Sequence, residues 1–449
     1  MHEACGIFGI FAPQEDVARL IFYGLIALQH RGQESAGIAT ADYKTVSCYR
    51  GMGLVNQVFK EGMIKKLKGK LGIGHTRYST EGSSILKNAQ PVVLNSQFGD
   101  LALAHNGNLV NYKELKKYLL KKGHALNSEL DSELILRLII AMPGKTLREK
   151  IIKGIELIKG AFSLVMITKD KLYMIRDQWG IRPLVIGRIN GQAWLAASES
   201  VAIESIGGRV VREVRPGEMM EISKKGLESF YQVKNQKTGF CIFEYVYFSR
   251  PDSTMNGRLV YSARFMAGRI LAKEYPVKAD FVMSVPDSGT SAALGYGRQS
   301  GLPFQEGLIK SRYVGRTFIQ PSQRIRDLGV SLKFNPLKEI LKGKRVVVVD
   351  DSIVRGTTIA QLVSLLKKAG ARQVHLRIAS PPFKNVCFLG IDVSKYAELI
   401  ASKHDLKKIK TKLGADSLGY LSLSGLKQAI GKTDCQFCTG CFNSDYPVK

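Results

Sequence analysis

Residues 345–358 read RVVVVDDSIVRGTT, an apolar run followed directly by two carboxylates, a short polar turn and two threonines. A short apolar run bounded by turn residues is typical of a buried strand, and the apolar residues of 359–369 have helical spacing. Similar apolar runs occur at 281–285 and 374–378. Because apolar strands that alternate with helices form parallel sheets, the sequence predicts such a sheet in the second half of the chain.

The polar turn after this strand is expected to bind a ligand. Ligands of open parallel sheets bind at the carboxyl ends of the strands. Main-chain N–H groups from Ser352 to Thr358, at the start of a helix, suit a phosphate dianion. Asp350 and Asp351 instead suit sugar hydroxyls or Mg²⁺, which takes hard oxygen ligands. A merely structural acidic cap would need only one carboxylate, so the pair favours ligand binding.

This loop resembles the signature of the phosphoribosyltransferases, in which the turn holds 5-phosphoribosyl 1-diphosphate. The resemblance implies an α/β domain of the type I phosphoribosyltransferase fold with a parallel sheet. It also implies Mg²⁺ as a cofactor, because Asp350 and Asp351 match the residues that face the ribose hydroxyls and the metal. The residues matched to the 5′-phosphate contacts are Ser352, Arg355, Gly356, Thr357 and Thr358.

Two further segments of the second half match the same family. VPDSGT at 285–290 matches the diphosphate loop, and KSRYVGRTFIQPSQRIR at 310–326 resembles the flexible loop that closes over the substrate. The cations of the longer segment suit the neutralisation of a diphosphate. The residues that these matches assign to the substrate are Asp287, Ser288, Gly289, Lys310 and Arg312, and Ser288 is also assigned to Mg²⁺.

The first half of the chain has a different character, with short strands, Gly-rich turns and unevenly placed amphipathic helices. This mixture indicates a layered α+β domain. The polar residues near 225–240 place the boundary between 230 and 231. Strand-like runs lie at Cys5–Phe11, Leu71–Arg77, Leu101–His105, Phe162–Thr168 and Ala193–Ala197, and helical spacing at Val17–Leu28 and Ser132–Ala141.

Cys5 opens the strand CGIFGIF close to the N-terminus. A lone cysteine in a strand is most often a small buried hydrophobe. Three polar motifs favour a catalytic role instead: QHRGQE at 29–34, GHTRYST at 74–80 and AHNGN at 104–108, of which the last two are expected to end strands. Together they resemble the N-terminal-nucleophile glutamine amidotransferases, which implies a four-layered αββα hydrolase domain over 5–230.

The resemblance assigns a role to each of these motifs. Residues 1–4 would be a propeptide, whose removal leaves a free α-amino group on Cys5 that can act as the base for its thiol. Asn106 and the main-chain N–H of Gly107 would form the oxyanion hole. Arg77 would pair with the α-carboxylate of glutamine, and Asp131 with its α-ammonium group. The histidines of the motifs lack metal-ligand spacing and are expected to be structural.

The C-terminal segment 435–441 reads CQFCTGC, and Cys241 and Cys387 lie elsewhere in the second half. In a reducing compartment such spacing indicates a metal site more often than disulfides. Four thiolates can hold zinc or a 4Fe–4S cluster, and the spacing alone leaves both possibilities open.

The combination resembles the amidophosphoribosyltransferase family, the glutamine-using first enzymes of purine synthesis, over essentially all of residues 1–449. It is similar to the bacterial subclass with a short propeptide and a structural 4Fe–4S cluster, remote from both reactions. The resemblance also implies a homotetramer inhibited by purine nucleotides, with a transferase domain over 231–449. The matched cluster ligands are Cys241, Cys387, Cys438 and Cys441, whereas Cys435 is an alternative ligand or a bystander.

Composition allows other classes, which the motifs disfavour. The chain of 449 residues carries 66 Lys and Arg against 38 Asp and Glu, a net charge of +28. The basic clusters are scattered and lack interleaved aromatic residues, so no nucleic-acid partner is expected. No apolar run approaches the roughly 18 residues of a membrane span, so no membrane association is expected. The N-terminus lacks a signal-peptide pattern, which favours the cytoplasm.

Two rival functions remain from different classes. A DNA-binding regulator could keep the phosphoribosyl diphosphate fold, but it would have no use for a complete glutaminase half. A glutamine-dependent sugar-phosphate aminotransferase would share only the first half, and the loop at 345–358 disfavours it.

Overall fold

The computed structural model describes residues 5–78, 85–233, 237–311, 332–391, 393, 395–431 and 436–448. The proposed propeptide, Arg312 with most of the loop predicted to close over the substrate, and Cys435 lie outside the described residues. No helix within these ranges is long and apolar enough to cross a membrane.

Two antiparallel sheets form the centre of the first half. The first sheet has the spatial order β11 (Arg209–Glu213), β9 (Val185–Ile189), β10 (Ala193–Ala197), β1 (Gly6–Phe11), β4 (Leu71–Arg77), β2 (Ser35–Ala41) and β3 (Val46–Met52). The second has the order β13 (Gly226–Gln232), β12 (Glu218–Ser223), β8 (Leu172–Arg176), β7 (Gly160–Ile167), β6 (Gly99–Leu109) and β5 (Val92–Ser96).

Helices cover the outer faces of both sheets. One apolar cluster, which includes Ile7, Ile73 and Val165, fills the space between the sheets. Separate apolar clusters lie beneath the helix at Val17–Ala27 on one side and beneath the three helices between Tyr112 and Glu156 on the other. This arrangement gives the predicted αββα layers. The helices are α1 (Val17–Ala27), α2 (Val55–Val58), α3 (Glu61–Ile64), α4 (Tyr112–Lys121), α5 (Asp131–Ala141), α6 (Leu147–Glu156) and α7 (Ser200–Glu204), with 3₁₀ turns at Gln29–Arg31 and Leu86–Asn88.

The second half contains the predicted parallel sheet. Its order is β17 (Phe281–Ser284), β20 (Arg345–Asp350), β21 (Gln373–Ile378) and β22 (Ser417–Tyr420), and every pairing is parallel. Its helices are α8 (Val260–Glu274), α9 (Thr290–Ser300), α10 (Lys338–Leu341), α11 (Thr357–Lys368), α12 (Ile400–Lys403), α13 (Leu406–Leu413), α14 (Leu423–Ile430) and α15 (Gly440–Asn443), with a π-helical turn at Glu244–Phe248 and a 3₁₀ turn at Tyr396–Glu398.

Three two-stranded pairings complete the second half. One of them joins the segment after the first half to the C-terminal segment, which brings two distant cysteines side by side. The pairs are β14 (Phe240–Cys241) with β23 (Phe437–Cys438), β15 (Thr254–Met255) with β16 (Arg258–Leu259), and β18 (Leu308–Lys310) with β19 (Phe334–Pro336).

The predicted fold class is confirmed in both halves. The strands expected at 71–77 and 193–197 have those bounds, and the helix expected at 359–369 begins two residues earlier, at Thr357. The strand β22 was not predicted, because its short sequence, SLGY, carries too few apolar residues to be distinguished from a loop.

Candidate active site

A pocket in the first half collects side chains from the ends of several elements. Cys5 precedes β1, Arg77 ends β4, Gly107 lies in β6 and Asp131 begins α5, so four of the five predicted residues of this half meet here. The residues that line this first pocket are Cys5, Arg77, Tyr78, Gln90, His105, Gly107, Asn108, Glu129, Leu130 and Asp131.

The thiol of Cys5 is half-buried in this pocket. Burial raises its pKa from 9.0 to about 11, and the positive charge of Arg77 only partly opposes that effect. The Sγ atom lies 3.4 Å from the main-chain oxygen of Tyr78, to which the thiol donates. At neutral pH the thiol is therefore protonated, and it needs a base before it can act as a nucleophile.

Asn106, the fifth predicted residue, lies next to the pocket in the middle of β6. Its side chain is fully buried, and neither its Nδ2 nor its Oδ1 has a hydrogen-bond partner among the described residues. Because an unpaired buried amide is unfavourable, such a group in a native structure calls for a specific explanation. An N–H group held ready for a ligand oxygen provides one.

Any side chain at position 107 would displace the neighbouring strand. The φ of Gly107 is +153°, and a Cβ atom there would lie 1.9 Å from the main-chain oxygen of Ala161. The strand expected at Leu101–His105 extends further, because β6 continues through Asn106 and Gly107 to Leu109. The polar AHNGN motif lies at the end of a strand, as expected, but its residues are themselves part of the strand because they pair with β7.

The loop before α5 is held by two carboxylates. Asp131 accepts a hydrogen bond from the main-chain N–H of Leu109 at 2.9 Å, which attaches the start of α5 to the end of β6. Glu133 accepts bonds from the main-chain N–H groups of Asn127 and Ser128 at 2.8 and 2.6 Å. These bonds fix the position of Asp131 relative to the strand that carries Gly107.

Two of the three histidines of the motifs, His75 and His105, are buried and uncharged. Burial lowers the pKa of both His75 and His105 to about 3, so neither carries a charge near neutral pH. Gln90 accepts a hydrogen bond from the main-chain N–H of His105 at 2.8 Å. Sequence reasoning missed Gln90, which no motif marked, whereas Tyr78 belongs to the GHTRYST segment and could have been included.

A second pocket lies at the carboxyl end of the parallel sheet. Asp351 follows β20 and Ser288 precedes α9, as predicted for a ligand site at this edge. The residues that line the second pocket are Tyr245, Val246, Ala263, Arg264, Ala267, Ser288, Ala292, Asp351, Ala379, Leu426 and Ile430. Apart from Ser288 and Asp351, the sequence analysis assigned none of these to a site.

Asp350, which is half-buried, and Asp351, which is buried, form an acidic pair beside this pocket. Burial raises the pKa of Asp350 well above its usual value, and the charge of Asp351 raises it further. Burial also raises the pKa of Asp351, although the hydroxyls of Ser288 and Ser352 oppose this by donating to it. Oxygen atoms of this kind, arranged around two adjacent carboxylates, are the donors that Mg²⁺ prefers.

The turn between β20 and α11 leads directly into the N-terminus of a helix. Gly356 adopts a left-handed φ of +80°, and α11 begins at Thr357, so free N–H groups occur where the sequence predicted them. Arg355 makes an ion pair with Glu398, in which its Nε lies 3.1 Å from the carboxylate. Lys310 makes an ion pair with Asp287, and Gly289 immediately precedes α9.

The predicted cysteine ligands come together from three parts of the chain. Cys241 and Cys438 are paired residues of β14 and β23, and Cys441 accepts main-chain hydrogen bonds through its carbonyl from Lys384 and Asn385. Cys387 is close enough to raise the pKa of the Cys441 thiol, after the larger effect of burial.

All four thiols are free, and burial raises the pKa of each. Within the described residues, no group of three or more His, Cys, Asp or Glu side chains has the arrangement of a metal site.

The cysteine region is not remote from the first pocket, contrary to the expectation. Asn108, which lines that pocket, donates from Nδ2 to the main-chain oxygen of Phe388 at 3.0 Å. Arg182 donates to the oxygen of Leu389 at 2.9 Å. The segment that follows Cys387 therefore packs directly against the first half. The sequence did not predict this contact, because the residues that form it are far apart in the chain and share no local pattern.

Comparison with known proteins supports both halves of this description. Residues 75–205 match the glutamine amidotransferase domain family, and residues 256–380 match the phosphoribosyl transferase domain family. The combination defines a glutamine-dependent transferase that acts on a phosphoribosyl substrate.

Full-length relatives give a narrower assignment. The chain is 49% identical to an amidophosphoribosyltransferase of Synechococcus elongatus, with 99% of this chain and 92% of the relative covered. A solved structure described as the allosteric regulatory enzyme of purine biosynthesis superposes with a TM-score of 0.94 at 45% identity, covering 99% of this chain and 96% of that one. The glutamine phosphoribosylpyrophosphate amidotransferase of B. subtilis, complexed with ADP and GMP, gives 0.93 at 45% identity, with 99% and 98% covered.

The chain belongs to the amidophosphoribosyltransferase family. Its activity is the hydrolysis of glutamine and the transfer of the ammonia to C1 of 5-phosphoribosyl 1-diphosphate, which gives 5-phosphoribosylamine, glutamate and diphosphate.

Proposed function

We propose that the first pocket hydrolyses glutamine with Cys5 as its nucleophile. The thiolate attacks the side-chain amide carbon, and the resulting oxyanion accepts hydrogen bonds from Asn106 and Gly107. The observation that supports this assignment most strongly is the buried, unpartnered amide of Asn106 beside the pocket that contains Cys5. Arg77 and Asp131 line the same pocket and bind the α-carboxylate and the α-ammonium group of glutamine.

The base is the α-amino group that Cys5 gains when residues 1–4 are removed. His75 and His105 are neutral, and because burial lowers the pKa of both they are weak bases. An amine on the nucleophilic residue itself takes the thiol proton and passes it to the departing ammonia. Water then hydrolyses the thioester and releases glutamate. We therefore infer the propeptide-containing subclass, which an intact-mass measurement of the purified protein tests.

In the second half we assign the turn from Ser352 to Thr358 to the 5′-phosphate. Asp350 and Asp351 hold the ribose hydroxyls, and together with Ser288 they provide the oxygen ligands for Mg²⁺. The fit is supported by the raised pKa of the two carboxylates, which burial causes and which the charge of Asp351 adds to at Asp350, because a divalent cation would stabilise their charged forms. When bound, Mg²⁺ neutralises charge on the departing diphosphate.

The remaining phosphoribosyl diphosphate contacts are cationic and backbone groups. Lys310 and Arg355 are paired with Asp287 and Glu398. A diphosphate would compete with these carboxylates for the two cations. Gly289, at the start of α9, offers its backbone to the diphosphate, and Arg312 belongs to the proposed loop that closes over it.

Ammonia reaches the second pocket through the interior of the protein. This pocket combines Asp351 with apolar side chains such as Leu426 and Ile430. Its wall includes Tyr245, which is part of the turn Glu244–Phe248 that packs against the first half. Such a lining excludes water and keeps ammonia unprotonated until it attacks C1.

We place the division between the two catalytic domains after residue 230. The last strand of the second sheet, β13, ends at Gln232, two residues beyond this division, and Phe240 and Cys241 already pair with the C-terminal segment. The glutaminase domain then covers 5–230 and the transferase domain 231–449.

We also propose a 4Fe–4S cluster on Cys241, Cys387, Cys438 and Cys441. The chemistry of the donor set supports this proposal, because an iron–sulfur cluster takes four thiolates and all four cysteines are free, three of them buried and Cys387 half-buried. The described side chains are not arranged as a metal site, so the cluster would have to draw the four sulfurs together. Iron, zinc and acid-labile sulfide in protein purified without oxygen test this proposal. Four irons and four sulfides per chain support it, and stoichiometric zinc without iron would contradict it.

Regulation and assembly follow from the family resemblance. One structural relative is described as allosteric and another was solved with ADP and GMP. We propose that purine nucleotides inhibit this enzyme, that it is a cytoplasmic homotetramer, and that it needs neither nucleic acid nor membrane. Sedimentation with and without GMP tests the assembly.

The transferase assignment is tested by Asp351→Asn. Glutamine and free ammonia use the same phosphoribosyl diphosphate site, so this change should abolish product formation from both nitrogen sources. The matched control is Asp416→Asn, which affects a carboxylate of the same half that accepts from Val374 and pairs with Lys367. Equal activity of the two variants would contradict the assignment.

A further inference from the structure

A buried ion-pair network joins the two halves beside Cys5. Arg31 is fully buried, and its Nη1 lies 2.6 Å from Glu199 of the first half. Its Nη1 and Nη2 also donate to Glu244 at 3.0 and 2.9 Å, and Glu244 lies beyond β13 in the second half. Burial raises the pKa of Glu244, but the charge and hydrogen bonds of Arg31 together with the charge of Arg182 lower it overall, so this carboxylate is ionised at neutral pH.

The same guanidinium holds the main chain of the nucleophile. Its Nε donates to the carbonyl oxygen of Cys5 at 3.1 Å. Gly6 follows, so without an anchor the intervening peptide plane could tilt easily. The orientation of this plane sets where the thiol and the α-amino group of Cys5 point. Arg31 is therefore positioned to fix both reactive groups at once.

The second half supplies the groups that fix the network. Glu244 also accepts from the hydroxyl of Ser249 at 2.7 Å. Glu199, although it belongs to the first half, accepts from the main-chain N–H of Arg250 at 2.9 Å and from the hydroxyl of Ser253 at 2.6 Å. Both carboxylates that hold Arg31 are thus held in turn by residues 249–253.

We propose that Glu244 is a positioning residue for the nucleophile, a carboxylate of the second half that acts through Arg31 on the main chain of Cys5. This inference rests on the proposed role of Cys5. It adds that efficient glutamine hydrolysis depends on a side chain outside residues 5–230. Glu244 touches neither substrate in this arrangement, and it acts only by fixing the direction in which the thiol and the amine point.

The experiment compares Glu244→Gln with the wild type in three assays: glutamine-dependent synthesis, ammonia-dependent synthesis and alkylation of Cys5 by iodoacetamide. Misplacement of a reactive group by about 1 Å costs up to about 100-fold in rate, so we expect kcat with glutamine to fall about 10- to 100-fold. KM for glutamine should stay within about twofold, because Arg77 and Asp131 are unchanged. Alkylation should slow, and ammonia-dependent synthesis should persist.

The matched control is Glu221→Gln. Glu221 is also a buried carboxylate that bridges two cations, Arg148 and Lys171, but its contacts do not lead to Cys5. The Glu221→Gln variant should leave the ratio of glutamine-dependent to ammonia-dependent activity unchanged. If Glu244→Gln changes that ratio no more than Glu221→Gln does, or lowers both activities in parallel, the proposal is wrong.

Ser249→Ala decides the question if Glu244→Gln does not fold. It removes one hydrogen bond to Glu244 and keeps the ion pair, so a smaller selective loss of glutamine-dependent kcat is expected, and an unchanged ratio contradicts the proposal.

Cys5→Ser separates this inference from the function on which it rests. If Cys5→Ser still uses glutamine, the proposed function fails; if it does not and Glu244→Gln behaves like its control, only the positioning role fails.

Discussion

Asn108 donates its side-chain Nδ2–H to the main-chain oxygen of Phe388 over 3.0 Å, although 280 positions separate the two residues in the chain. The donor, Asn108, lines the first pocket, and the acceptor, Phe388, directly follows Cys387 in the chain. The cysteine region is therefore attached to the first pocket by a specific hydrogen bond, and a change at one should affect the other.

Removal of this bond by Asn108→Ala should weaken glutamine binding. The loss of about 1 kcal/mol of hydrogen bonding predicts a three- to tenfold rise in KM for glutamine, with KM for phosphoribosyl diphosphate unchanged. Asn111→Ala is the matched control, because Asn111 is equally buried and donates to the oxygen of Leu157, away from the pocket. An identical KM for glutamine in both variants would show that the Asn108 bond has no role in the site.

Gly107→Ala should disrupt the strand that carries the proposed oxyanion hole. A Cβ atom 1.9 Å from the oxygen of Ala161 must force β6 and β7 apart. We expect a loss of about 3 kcal/mol or more in the free energy of unfolding. Gly62→Ala, a helical position with nothing within 4 Å of the added Cβ, should instead stabilise. Urea denaturation of both variants checks this, and a Gly107→Ala protein as stable as the wild type would refute it.

The thiol of Cys5 should react slowly at neutral pH while residues 1–4 are attached. With a pKa of about 11, its alkylation rate should rise about tenfold for each pH unit from about 7 to 10, without a plateau. Because the Arg77 charge lowers this pKa, Arg77→Gln should slow the reaction further.

Cys48 provides an internal reference, since its pKa is also raised to about 11 but is opposed by Arg50 instead. Peptide mapping of alkylated protein, with intact mass to confirm residues 1–4, measures both sites. A plateau for Cys5 below about pH 9 would contradict the raised pKa, and so would equal slowing of both cysteines by Arg77→Gln.

Local patterns were sufficient to predict much of the fold. The valines of β20 followed by Asp350 and Asp351 indicate a buried strand that ends at a ligand site, because both signals lie within one short segment. Cys5, Arg77, Gly107 and Asp131 could be assigned to one site only through resemblance, and they do line one pocket.

The relations that the sequence did not reveal are contacts between distant residues. Arg31 and Glu244 lie 213 positions apart, and nothing near either residue marks the other as its partner. The extension of β6 through Asn106 was missed for a different reason, since a polar HNG segment has the composition of a turn, and only pairing with β7 makes it a strand.

The separation of the reaction into two sites is tested most directly by the activity of Cys5→Ser with each nitrogen source. We expect glutamine-dependent synthesis to fall about 1000-fold or more, because a serine hydroxyl is a far weaker nucleophile than a thiolate. Synthesis from added ammonia should stay within about twofold of the wild type, because the second pocket is unchanged. Parallel loss of both activities, or continued use of glutamine, would contradict the account.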